Sequence, residues 1–161
     1  MAPDTPAAPS GRPAAAGLRH ARCLFHPLRE AAAPLPDQLA SLAGQYRTAG
    51  EEAVDFEVRG EPRPIPDEAS LAAYRTAQEA LTNARKHAPG QPVTLLLDYE
   101  PADVTLSVVN PVPPGREEGP LADTGAGFGL VGLRERAALA GGTFDAGPEA
   151  GNWQVTLRIP A

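Results

Sequence analysis

The sequence predicts an α/β fold: a two-layer sandwich with a mixed, mostly antiparallel sheet and helices on one face. Three observations carry this. The elements run helix, strand, helix, two strands, loop, helix, two strands, which is too irregular for a doubly wound sheet. The strand segments alternate apolar and polar residues, so the sheet buries one face. The longest helical segment carries a stripe of small apolar residues, which lets it lie close against a sheet.

Composition narrows the class. The chain has 161 residues, enough for one domain with a real core. Its formal charge of −6 argues against non-specific nucleic-acid binding. No apolar run approaches the ~20 residues of a membrane span, and no basic region followed by an apolar core marks a secretory signal. The single cysteine, Cys23, has no internal disulfide partner and lies among apolar residues as a packed thiol. A reducing cytoplasm fits this usage.

Met1 to Gly17 is Ala/Pro-rich and reads as a disordered leader. From Leu18 to Glu30, Leu18, Ala21, Leu24, Phe25 and Leu28 recur at helical spacing, and Pro27 ends or kinks the segment. It reads as the tail of an amphipathic helix. Ala31 to Asp37 is a Pro-rich linker, so the main domain is drawn as residues 31–161. Gln38 to Thr48 forms a short amphipathic helix through Leu39, Leu42, Ala43 and Tyr46, and ends near Gly50. Ala53 to Arg59 is a strand, with Val54, Phe56 and Val58 on one face. Gly60 to Pro66 turns, and Asp67 is placed as the N-cap of the next helix.

That helix, Leu71 to Ala88, holds the first candidate chemistry. At about 100° per residue, Ala77, Ala80, Leu81, Ala84 and Ala88 share one stripe. Glu79, Asn83, Lys86 and His87 are assigned to the opposite side. Glu79 and Asn83 stack one turn apart, with Lys86 beside them. A carboxylate, a neutral oxygen ligand and an ammonium together suit a magnesium–polyphosphate ligand. The same face also reads as a solvated polar surface, and His87 as a helix-end dipole partner.

Pro89 and Gly90 stop the helix. Pro92 to Tyr99 and Val104 to Asn110 form a hairpin across Pro101, Ala102 and Asp103. Pro111 to Gly127 is a long Pro/Gly-rich loop of the kind that serves as a lid or stays disordered. Gly125-Ala126-Gly127-Phe128-Gly129 then leads into a helix from Leu130 to Ala140, with Leu130, Leu133, Ala137 and either Leu139 or Ala140 inward. Glycines before a helix N-terminus can cradle phosphate, or can act as a hinge. No Gly-Lys-Ser/Thr follows, and no strand precedes, so neither a Walker A loop nor a dinucleotide fingerprint is present. Thr143 to Ala146 and Trp153 to Ile159 complete the sheet around a turn from Pro148 to Asn152.

QEALTNARKHA, a hairpin, a Gly/Pro-rich loop, GAGFGLVGLRERAALAGG and a final WQVTLRIP together resemble the ATP-binding domain of two-component sensor histidine kinases. The resemblance runs from about Leu18 to the end. It is nearest the class that signals to NarL-type response regulators, in its actinobacterial form. That family shares a Bergerat-type ATP-binding fold with gyrase, Hsp90 and MutL. The resemblance implies ATP and Mg2+ as cofactors. Asn83 would be the magnesium ligand, Glu79 the catalytic carboxylate beside the nucleophile or a water, and Lys86 and His87 phosphate contacts. Gly125, Gly127 and Gly129, with Leu130 opening the helix, match the glycine box over the phosphates. Asn110 stands where the family has an aspartate that accepts from the adenine amino group. Thr156 lies on the strand where the family places a threonine near adenine.

Two departures accompany the match. The first glycine box of the family is replaced by Asn110-Pro111-Val112-Pro113-Pro114. Leu18 to Glu30 resembles only the end of a dimerisation helix, and His20 and His26 lack the context of a phosphoacceptor. The implied partners are therefore ATP, a histidine-bearing dimerisation domain on another chain or lost upstream, and a NarL-type response regulator. An anti-sigma-factor-type serine kinase and a non-catalytic nucleotide-binding or interaction module are the alternatives.

Overall fold

The computed structural model describes residues 33–49, 53–113 and 127–160. The leader, the helix remnant, Cys23, most of the Pro111–Gly127 loop and Gly125 lie outside the described residues.

The described elements are α1 (Leu35–Ala49), β1 (Val54–Arg59), α2 (Asp67–His87), β2 (Val93–Tyr99), β3 (Asp103–Pro111), α3 (Gly127–Leu139), β4 (Thr143–Glu149) and β5 (Asn152–Pro160). They build one five-stranded sheet in the order β1-β2-β3-β5-β4. β1 and β2 are parallel, as the α2 crossover between them requires, and the other three pairings are antiparallel. The mixed, mostly antiparallel sandwich expected from the sequence is the architecture found.

The helices and one sheet face enclose the core. Leu95, Leu97, Leu106 and Leu157 are fully buried, with Val93, Val104, Val108, Val155 and Ile159 beside them. The other face carries Thr94, Thr105, Ser107, Gln154 and Thr156, the opposite phase of the same strands. α2 meets the core through Ala69, Ala72, Ala73, Ala77, Ala80 and Ala84. With no side chain beyond Cβ, these residues let its backbone approach the sheet.

Several boundaries differ from expectation. α1 starts at Leu35 rather than Gln38, because the amides of Asp37 and Gln38 both donate to Pro34 O and Leu35 is buried. α2 starts at Asp67 rather than Leu71. Pro66 occupies the N-cap, and Asp67 and Glu68 place negative charge in the first turn, where the helix dipole favours it. Asp67 is therefore a first-turn residue, not the cap. β4 continues through Pro148 to Glu149, so the last turn shrinks to Ala150 and Gly151, both at positive φ. Proline is tolerated there because β4 is an edge strand. In α3 it is Ala140, half-buried, that follows Leu133 and Ala137 inward; Leu139 is 82% exposed.

Two arginines fasten the layers. Arg85 lies 4.2 Å above the Tyr46 ring and donates to Tyr46 O at 3.2 Å, joining α2 to α1. Arg63 lies 5.7 Å from the Tyr99 ring centroid and donates to Asp103 O at 3.2 Å, and also to Glu100 O. Burial pushes the Tyr99 phenol upward from its ordinary pKa, and the Arg63 charge partly opposes this. A raised folded-state pKa gives stability that is fully present below the unfolded value of about 10 and lost as pH rises through the folded value. Wild-type denaturation midpoints should therefore fall on going above pH 10, and Tyr99→Phe should remove that share of the alkaline loss.

Candidate functional site

The chain direction brings the candidate residues to one end of the sheet. α2 ends where β2 begins, beside the end of β3. The end of β3 pairs with the start of β5, and the start of β5 pairs with the end of β4. α3 precedes β4 and packs on β4, β5 and α2. The second half of α2, the first turn of α3, Asn110 and the start of β5 thus share one rim.

On α2 the polar residues lie closer to the core than the helical wheel suggested. Asn83 is 7% exposed and belongs to the buried face with Thr76, not to the opposite side. The stripe is wider than the five small residues implied, because α3 packs along the flank of α2 as the sheet packs beneath it. Glu79 and His87 are half-buried, and Lys86 is exposed. Arg85, Lys86 and His87 give the last turn of α2 a basic character.

α3 begins at Gly127, so Gly127 and Gly129 lie within the first helical turn instead of before it, with Leu130 half-buried one position later. A Cβ added to Gly129 would fall on Glu79 Oε1. Gly129 is therefore the place where α3 comes closest to the carboxylate of α2, and its lack of a side chain permits the approach. Glu79 and the α3 N-terminal turn are brought together, with Asn83 buried one turn further along α2 and Lys86 exposed beyond it.

Asn110 is 6% exposed and faces the helix layer from β3. Its Nδ2 donates one hydrogen to Pro111 O at 3.1 Å, so the amide oxygen and the second Nδ2 hydrogen are what it can offer a ligand. Thr156 is not part of this rim. It alternates with Val155 and Leu157, so it stands on the open face of the sheet, where its Oγ1 accepts from Gln154 Nε2 at 3.1 Å. It lines a shallow groove with Asp145, Gly147 and Gln154, away from the helices. The β5 residue on the helix side is Trp153, directly across from Asn110 and packed against the core. The sequence contained the signal: counting in twos from Ile159, Leu157 and Val155 reaches Trp153 and never Thr156.

Among the described residues no group of three or more His, Cys, Asp or Glu could hold a metal ion. A single buried carboxamide such as Asn83 could still help to hold an ion carried in on a ligand, since magnesium keeps its waters and takes phosphate oxygens. Among the described residues no helix is long and apolar enough to cross a membrane.

A mixed five-stranded sheet with its helices on one face is the architecture of histidine kinase ATP-binding domains. No family model matches the chain. By sequence it is 34% identical over 138 residues to the methanol utilization control sensor protein MoxY of Paracoccus denitrificans, covering 78% of this chain and 30% of that one. It is 32% identical over 108 residues to the sensor histidine kinase LnrJ of Bacillus subtilis, covering 67% and 26%. The chain thus spans less than a third of the length of these curated relatives. In structure it is similar to the catalytic domain of the histidine kinase ThkA, with a TM-score of 0.61 at 18% identity over 78% of this chain and 91% of that one. The chain belongs to the sensor histidine kinase family by sequence, and its described part has the fold of their catalytic domains.

Proposed function

We propose that this domain binds ATP at the rim formed by α2, α3 and the ends of β3 and β5, and donates its γ-phosphoryl group to a histidine outside residues 33–160. The observation that carries the reading is the meeting of Glu79, one turn before the buried Asn83 on α2, with the first turn of α3 at Gly129. A carboxylate, a neutral oxygen donor and a helix N-terminus on one rim suit a reaction that needs positioning and charge neutralisation.

Asn83 would hold a magnesium ion through its amide oxygen, and that ion would supply charge neutralisation to the polyphosphate. The α3 N-terminal turn receives phosphate oxygens on its free N–H groups, and Lys86 and His87 close the basic side. Glu79 orients the attacking imidazole and takes its proton. The histidine nitrogen bonds to phosphorus as the bond to the β–γ bridging oxygen breaks, and ADP leaves. Asn110 accepts from the base through its oxygen, and this neutral bond is about half as strong as one to a carboxylate. The acceptor lies on a dimerisation domain, and the phosphoryl group passes on to the aspartate of a NarL-type response regulator. The setting is cytoplasmic.

Calorimetry of the full chain with ATP tests the reading. Binding should need Mg2+ and be abolished by EDTA; affinity indifferent to the metal would refute the role of Asn83. Gly129→Ala offers a second check. Alanine gains up to about 1 kcal/mol of helix propensity over glycine, but its methyl displaces the Glu79 carboxylate. Phosphoryl transfer should fall about tenfold or more with the fold retained. Unchanged transfer would mean that the Glu79 position is immaterial.

A further inference from the structure

We propose that Trp153 is the wall on which the nucleotide base rests, so that this site holds its base by stacking more than by hydrogen bonding. The proposal rests on the ATP-binding reading above and adds a residue that the sequence comparison of site positions passed over.

Three observations lead to it. Trp153 is placed on the helix side of β5 by its phase with Val155, Leu157 and Ile159, all buried. It is only half-buried, so part of the indole is covered by the core and part is open at the rim. Its cross-strand partners are Asn110 on β3 and Pro148 on β4. Neighbours on one face of a sheet have Cβ atoms about 5 Å apart. A base reaching the Asn110 oxygen must therefore lie within reach of the indole.

The chemistry beside it favours stacking. Asn110 is neutral, and with one Nδ2 hydrogen given to Pro111 O it offers the base one uncharged acceptor and one remaining uncharged N–H. Among the described residues, no charged side chain stands on the helix side of β3 or β5 at this rim. An aromatic face gains affinity from any base, because every base has a π-face. With one neutral amide and one indole, adenine and guanine nucleotides should differ little in affinity.

Trp153 is the only tryptophan of the chain, so intrinsic fluorescence reports on this position alone. The test titrates the full chain with Mg-ATP, Mg-GTP and Mg-tripolyphosphate, by fluorescence and by calorimetry. Both nucleotides should quench the emission and bind within about tenfold of each other, and tripolyphosphate should bind without quenching. Trp153→Ala should lose about tenfold or more of ATP affinity and keep its affinity for tripolyphosphate. Trp153→Phe should retain most of the ATP affinity, and its circular dichroism and that of Trp153→Ala should match the wild type. Unchanged ATP affinity in Trp153→Ala overturns the proposal, as does tighter binding, which would mean that the indole fills the place of the base. Rejection of GTP by more than a hundredfold also overturns it. If the wild-type chain binds neither ATP nor tripolyphosphate, the nucleotide reading itself falls. If ATP binds with no effect of either substitution, only the role of Trp153 falls.

Discussion

Asn83→Ala is expected to lower phosphoryl transfer from Mg-ATP about a hundredfold or more, with the domain still folded. The magnitude follows from the proposed role of Asn83, since its carboxamide would hold the ion that neutralises charge in the transition state. Folding should survive because Asn83 lies at the edge of a stripe already built from alanines: Ala77, Ala80 and Ala84. Alanine also has the better helix propensity, worth roughly half a kcal/mol at one position. The loss should appear chiefly in kcat and in the metal dependence, measured by transfer of labelled phosphate to a dimerisation domain supplied separately. Wild-type transfer by a folded Asn83→Ala protein would remove this residue from the site.

Gly60→Ala is expected to be the largest single-site loss of stability outside the hydrophobic core, about 2–4 kcal/mol. Two penalties coincide. Gly60 has φ of +72°, a left-handed conformation that costs an L-residue roughly 1–2 kcal/mol. An added Cβ would also fall on the carbonyl oxygen of Tyr99, which is backbone and cannot swing aside. Gly90 has φ of +75° but no atom within 4 Å of an added Cβ. Gly90→Ala should therefore show the backbone penalty alone. Urea denaturation of both variants separates the two costs through their midpoints, with m unchanged. Equal losses would show that the approach of Gly60 to Tyr99 carries no energy.

The sheet and its burial phase were legible because strand periodicity leaves little freedom. Val93, Leu95 and Leu97 on β2, and Val104, Leu106 and Val108 on β3, could face only one layer. Helix ends were less legible, since proline before α1 and α2 and glycine within α3 carry opposite local signals. Tertiary contacts decided them: burial of Leu35 lengthened α1, and packing of α3 on α2 took Gly127 and Gly129 into its first turn. Glu79 and Asn83 both lie on α2, but a single helical wheel could not show that Asn83 would belong to the buried face. Thr156 was misplaced because residue type was followed where register should have been.

The proline inside β4 has a consequence for how copies of this domain meet. Among the described residues the five-stranded sheet has two free edges, β1 and β4. On β4, Pro148 has no N–H to offer an incoming strand. On β1, Asp55, Glu57 and Arg59 stud the exposed side of the strand with charge. Neither border is a good template for another sheet, so crowding many copies together should not fuse them edge to edge. Any association of copies should therefore use surfaces other than these two strands.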